Sequence, residues 1–273
     1  MKHYDYLVDV RTDERVKRLK DYQKLKSTAP DSYKSNTTKE VKCVELLAAY
    51  SDQYLAVFKN RHAPFVTAEN EYGIKKCVCS AIRPTTLPEA DLTNLKEIGN
   101  FVANFVKHLP LSAPAEYPKH LFSPSSVLDA GLGDSFEIST LICSLLLGVG
   151  YDAYVVCGVA PSNIVRIEGT ETSASQGNVP TELVSNIVED LPAFCTHSWV
   201  FVSAAGGGDI TENCFVDPFT GQVMSTKLCP YTAIDAIWNH SNYWLNTHFD
   251  KPVTKVSHMS YPLTLLLNVA DQI

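Results

Sequence analysis

A small hydroxyl residue at the predicted start of an apolar helix, a histidine on a downstream strand and an aspartate closing the next strand form a set suited to acyl transfer. Here they are Ser135 in Gly133-Asp134-Ser135-Phe136-Glu137, His197 in His197-Ser198-Trp199-Val200, and Asp217 in Val216-Asp217-Pro218. A helix N-terminus carries about half a positive charge and several unpaired N–H groups. That setting favours a nucleophile's anion and supplies donors for a developing oxyanion. Strand alternation places Cys195, His197, Trp199 and Phe201 on one face, and Ser198, Val200 and Val202 on the other. Asp217 stands where it would accept the imidazole proton and fix the tautomer, while Trp199 shields the ring from water. The candidate catalytic residues are therefore Ser135, His197 and Asp217, with Trp199 and Asp134 as candidates for the substrate cleft.

Each residue also has a plain structural reading. A serine at a helix start is commonly a cap, a histidine beside a tryptophan a hydrogen-bonded core residue, and Asp-Pro a turn signal. Serine also changes the chemistry. A thiol in such a setting ionises towards an ion pair with histidine before substrate arrives. A hydroxyl is far more basic, so His197 would have to act as a general base during attack. In a site built for a thiolate, Ser135 leaves turnover slow or absent.

The elements that must position this set are legible in outline. Residues 9 to 35 are rich in Lys, Asp, Arg and Ser and read as a polar arm, with a helix between Asp13 and Leu25. Thr37 and Glu40 have capping-box spacing, followed by a helical stripe of Val41, Val44, Leu47, Ala48, Tyr54, Leu55 and Phe58. A second helix is expected from about Asp91 to Lys107, with Leu95, Ile98, Phe101, Val102, Phe105 and Val106 facing inward. Pro110, Pro114, Pro118 and Pro124 mark an irregular connection. The central helix runs from Ser135 to Leu147, capped by Asp134 and stopped by Gly148 and Gly150. Strands follow at Ala153 to Val159, Ser198 to Ser203, Asn213 to Val216 and Gln222 to Thr226. The polar stretch between Pro161 and Pro192 reads as an insertion loop. The domain boundaries are thus a polar arm over 1–35 and one α+β domain over 36–273, with the insertion at 161–192.

Composition narrows the function classes. The chain has 273 residues, 45% apolar and 19% charged, which suits a substantial core. A formal net charge of −7 argues against nucleic-acid binding. No run reaches the roughly 20 apolar residues of a membrane span, and Leu141 to Val149 is too short. The first residues lack a signal peptide's apolar segment. Several of the eight cysteines (Cys143, Cys157, Cys214) sit in apolar runs, which points to a reduced, cytoplasmic protein. Cys77-Val78-Cys79 reads as two thiols on one face of a strand, Cys195 as packing, and Gly206-Gly207-Gly208 as a hairpin turn. Neither metal nor cofactor is expected. The aromatic cluster from Trp238 to Trp244 reads as completing the core, with a binding surface as the alternative.

The order of helix-start nucleophile, strand histidine and strand aspartate resembles that of papain-like and transglutaminase-like enzymes. A longer set of motifs is more specific. It comprises Gly73-Ile74-Lys75-Lys76-Cys77, Ile82-Arg83-Pro84-Thr85 through Leu87-Pro88, and Gly133 to Ser139. It continues with Gly150-Tyr151-Asp152-Ala153-Tyr154, His197 to Val200, Val216 to Gly221, and Trp238-Asn239-His240 with Asn242-Tyr243-Trp244. Together these resemble the transglutaminase-like, coiled-coil-containing family of nexin–dynein regulatory complex subunits in motile cilia, which includes the lobo homologues. The resemblance implies a papain/transglutaminase-like α+β fold, its nucleophile helix packed on an antiparallel sheet carrying His197 and Asp217. It also implies location in the axoneme of a cilium or flagellum, and protein or peptide partners, including axonemal proteins.

That family pattern has cysteine at position 135. One reading is therefore a non-catalytic axonemal domain acting by protein–protein contact. The other is a cysteine peptidase or acyltransferase whose nucleophile has been replaced by Ser135, with His197 as base then acid and Asp217 as orienter. A third is a papain-like domain that binds a peptide without cleaving it. Asp129 occupies the position where a papain-like chain offers a glutamine, and a carboxylate donates no hydrogen bond unless protonated.

Overall fold

The computed structural model describes residues 31–59, 61–87, 92–162, 164, 193–206 and 210–246. The expected helix between Asp13 and Leu25, nearly all of the 161–192 insertion, and Gly207 and Gly208 lie outside the described residues. Of the polar arm, a short helix at Asp31–Lys34 (α1) is described.

Helix α2 spans Thr38–Val57 and opens on the expected capping box. The Glu40 N–H donates to Thr37 Oγ1, and the Thr37 N–H donates to Glu40 Oε2 at 2.8 Å. Its apolar stripe is less buried than the spacing predicts: Leu47 and Tyr54 are buried, but Val41 is 42% exposed. This helix rests on a small antiparallel hairpin, β1 (Thr67–Glu69) with β2 (Lys75–Cys77), which covers few of its positions. Cys77 ends β2, and the chain enters a 3-10 turn over Val78–Ala81. Cys77 and Cys79 therefore do not share the face of one strand, contrary to expectation.

Helix α3 is Leu95–Phe105, capped by Asn94, which accepts from the Glu97 N–H at 3.0 Å. Leu95, Ile98, Val102 and Val106 are buried, as the helical period predicts. Phe105, expected to face inward, is 53% exposed and stacks on Phe101 at 5.5 Å. The strand β3 (Lys107–His108) pairs in parallel with β4 (Leu132–Gly133). Between them lies a helix that the prolines conceal, α4 (Pro124–Ala130), capped by Ser123 with Pro124 in its first turn.

Helix α5 (Ser135–Gly148) follows β4 directly. Asp134 is its cap, its Oδ1 accepting from the Phe136 and Glu137 N–H groups at 2.9 and 3.0 Å. The Asp134 N–H donates in return to Glu137 Oε2 at 3.1 Å. Every residue from Ser135 to Leu146 is buried, so this is a core helix, enclosed on all sides. Two of its interior hydroxyls are satisfied locally, Thr140 and Ser144 donating to the carbonyls of Phe136 and Thr140 at 2.7 Å each, while the buried Ser139 hydroxyl has no hydrogen-bond partner.

The remaining strands are β5 (Asp152–Pro161), β6 (Phe194–Ser203), β7 (Cys214–Val216), β8 (Val223–Ser225), β9 (Ala233–Trp238) and β10 (Tyr243–Leu245). They form one six-stranded antiparallel sheet in the order β10-β9-β5-β6-β7-β8. The core on the α5 side holds Ala153, Val155, Cys157, Val200, Val202, Val216 and Trp238. A second cluster combines Val156, Trp199, Phe201, Phe215 and Ile237 with Tyr231. The two-residue alternation expected for 195–202 thus matches the partition of β6. Strands β9 and β10 exceed the sequence expectation. Trp238 and Tyr243 stack at 5.7 Å inside the core, while Trp244 meets Tyr154 at 5.6 Å. The architecture is α+β, with a central helix on an antiparallel sheet.

Candidate functional site

Ser135, His197 and Asp217 are 2%, 0% and 4% exposed. Ser135 is placed by the Asp134 capping box at the first position of α5. His197 sits in β6 opposite Gly158, where β5 has an irregularity in its pairing with β9. Asp217 follows β7 and starts a turn held by its own carboxylate.

The three do not form a hydrogen-bonded relay. Neither His197 ring nitrogen has a hydrogen-bond partner, so the imidazole is bonded neither to the Ser135 hydroxyl nor to Asp217. The Asp217 carboxylate is engaged elsewhere. Oδ1 accepts from the Phe219 N–H at 3.0 Å, the Thr220 N–H at 2.9 Å and the Thr220 hydroxyl at 3.0 Å. Oδ2 accepts from the Tyr231 hydroxyl at 3.0 Å.

Burial lowers the His197 pKa from 6.5 to about 4, against a smaller upward pull from the Asp217 carboxylate. The imidazole is therefore neutral near pH 7 and a weak base. Burial, followed by the Asp217 charge, drives the Tyr231 hydroxyl well above its ordinary value, so it remains a donor.

An aromatic cage surrounds the histidine. Its ring lies 6.1 Å from Trp199, 5.1 Å from Phe219 and 5.7 Å from Tyr231, centroid to centroid. Trp199 and Tyr231 stack at 3.9 Å, and Trp199 is fully buried. Trp199 therefore packs inside the protein, and Asp134 is committed to capping; neither faces an open cleft in this structure. Contacts linking the start of α5 to His197 run through Phe219. Gly133 pairs with His108, whose ring lies 3.6 Å from Phe219.

Sequence reasoning did not find Tyr231, Phe219, Thr220 or His108. Phe219 and Thr220 lay within a quoted motif, but nothing in their spacing marked them as partners of Asp217 and His197. Asp129, in α4, is exposed and offers no oxyanion donor. Cys195 donates to the Ala160 carbonyl at 3.5 Å, and burial raises its thiol pKa, which suits packing.

Among the described residues no group of His, Cys, Asp and Glu could hold a metal ion, and no helix is long and apolar enough to cross a membrane.

No protein-family model matches the chain. Dynein regulatory complex subunit 7 of Homo sapiens is 31% identical over 274 aligned positions, covering 81% of this chain and 31% of that protein. The subunit 7 protein of Chlamydomonas reinhardtii is 32% identical over 195 positions, covering 71% of this chain and 16% of its own length. The coiled-coil domain-containing protein lobo of Drosophila melanogaster is 25% identical, covering 83% and 34% respectively. Among solved structures, calcium-bound Legionella pneumophila LapG superposes with a TM-score of 0.38 at 12% identity, covering 85% of this chain and 96% of that one. The chain spans about a third of the human relative it matches. It is homologous to one segment of the dynein regulatory complex subunit 7 proteins.

Proposed function

We propose that this chain is the papain/transglutaminase-like domain of an axonemal scaffold protein of cilia or flagella. On this reading it acts by protein–protein contact within a dynein regulatory complex and carries no working acyl-transfer site. The similarity to subunit 7 proteins supports the location and the class of partner. The central helix on an antiparallel sheet is compatible with the papain/transglutaminase-like reading.

One observation carries the non-catalytic part: His197 is enclosed, with both ring nitrogens unpartnered, while the Asp217 carboxylate serves its own turn and Tyr231. A general base must reach the proton it abstracts, and an orienting carboxylate must hold the base. Neither hydrogen bond is made here, and position 135 offers a hydroxyl in place of a thiol; both support the non-catalytic reading.

The test replaces the protein in a motile ciliated cell with a Ser135→Ala version. The expected result is incorporation into axonemes, and ciliary beating, equal to that of the Ser135 protein. Normal protein level with loss of incorporation or motility would show that the hydroxyl is used, and absence of the unaltered Ser135 protein from axonemes altogether would remove the scaffold reading.

A further inference from the structure

Three cysteines that the candidate site does not use converge where α2 packs on the β1–β2 hairpin. Glu40 and Cys43 are three residues apart on one face of α2. Lys76 and Cys77 are consecutive at the end of β2. Lys76 Nζ bonds Glu40 Oε1 at 2.7 Å and also donates to the Ser35 carbonyl at 3.2 Å, fixing helix to hairpin beside the two thiols. Cys43 and Cys77 both pack against the main core at partly buried positions, and their side chains interact directly. Cys77 also meets Cys79, whose thiol reaches the Asn242 carbonyl at 3.6 Å. All are free thiols.

A second feature opens this cluster to solvent. A surface pocket of about 40 Å³ has Cys77 in its wall, together with Glu40, Lys76, Glu71 and Arg83. A space of that size admits a molecule as small as hydrogen peroxide. Cys43, on the helix side, is absent from the pocket wall.

We propose that Cys43 and Cys77 are a redox-modification site, oxidised by peroxide to a disulfide that staples α2 to the β1–β2 hairpin. In the first step the Cys77 sulfur attacks one peroxide oxygen; the S–O bond forms, the O–O bond breaks, and the thiol proton leaves with the other oxygen as water. In the second step the Cys43 sulfur attacks Cys77; the S–S bond forms, the S–O bond breaks, and hydroxide leaves with the Cys43 proton as water. The two thiols are oxidised by two electrons and one peroxide is reduced to two waters.

The Cys43 S–H favours the Cys77 thiolate, but the Cys79 contact and burial outweigh it and hold Cys77 above the ordinary thiol range. Thiolate is the reactive form, so oxidation is slow, and the site responds to sustained peroxide and not to brief pulses.

The closed loop joins two elements 34 positions apart in the chain, and constraining it restricts the unfolded state. The melting temperature should rise by roughly 5–10 °C on oxidation. The experiment treats the folded chain with hydrogen peroxide for increasing times, blocks residual thiols, and maps disulfides by mass spectrometry of a non-reduced digest. Expected are a Cys43–Cys77 linkage as the main product and a rise in melting temperature reversed by dithiothreitol. Cys43→Ser should abolish that rise and leave Cys77 as sulfenic or sulfinic acid. A predominant Cys77–Cys79 linkage, an intermolecular disulfide, or unlinked cysteines after prolonged treatment would overturn the proposal, and each is read from the unaltered protein whether or not the variant folds.

Discussion

Lowering the pH from 6.5 to 4 should remove about 3 kcal/mol of stability that a His197→Leu variant does not lose. The sign follows from the enclosed imidazole, whose pKa falls from 6.5 in the unfolded chain to about 4 in the folded protein. Above pH 6.5 the ring is neutral in both states, and folding binds or releases no proton there. Between 6.5 and 4 the unfolded chain takes up a proton that the folded chain refuses, so stability falls with pH, by about 3 kcal/mol in full. Other groups add acid sensitivity to both proteins, and the difference between their urea midpoints across this range isolates His197. Leucine also removes two buried nitrogens that have no hydrogen-bond partner. The variant should therefore be at least as stable at pH 7, since an unsatisfied buried polar group costs about 1–3 kcal/mol. Parallel pH curves for the two proteins would mean that the imidazole takes up its proton as readily in the folded protein as in the unfolded chain, and would contradict the enclosed, neutral ring.

The second large effect lies across the ladder from the histidine. Gly158 pairs with His197 on one side and with Ile234 on the other, and a Cβ there would collide with the Ala233 carbonyl. Backbone cannot swing aside as a flexible side chain does. Gly158→Ala is expected to cost about 3 kcal/mol or more, by forcing β9 away from β5. Gly73→Ala is the control. Gly73 has φ +71 and open space around it, so only backbone strain applies, at about 1 kcal/mol. Chemical denaturation of both variants reads the difference. Equal costs would show that the strand pair relaxes around the added methyl group.

The parts of this fold that the sequence discloses are those set by local chemistry. Asp134 and Glu137 specify the start of α5, as Thr37 and Glu40 specify that of α2, because capping depends on residues three apart. The alternation along β6 is equally local, and it places Trp199 and Val200 in different clusters.

What stays hidden depends on distant partners. Asp235 interrupts the apolar pattern of β9, and its partly buried carboxyl is accommodated by partners far away in the chain: the Tyr117 hydroxyl donates to it at 2.6 Å, and the charges of His62 and Arg61 also favour its ionised form. Phe105 fits the inward period of α3 yet finds only Phe101 at the surface. At the site, the order of Ser135, His197 and Asp217 is visible in the chain, but the saturation of Asp217 by Thr220 and Tyr231 is not. Linear spacing places residues on elements; it does not report which hydrogen bonds a carboxylate has already made.

The central claim is that these residues do not form a working acyl-transfer site, and thiol reactivity at position 135 tests it most directly. A Ser135→Cys protein is treated with a thiol-reactive affinity probe, with Ser135→Cys/His197→Ala as the companion and all cysteines followed by mass spectrometry. The account predicts labelling at position 135 no faster than at the partly exposed Cys43, Cys77 and Cys229, and unchanged by the loss of His197. Fast labelling confined to position 135, and lost with His197, would contradict it and establish an assembled Cys–His pair.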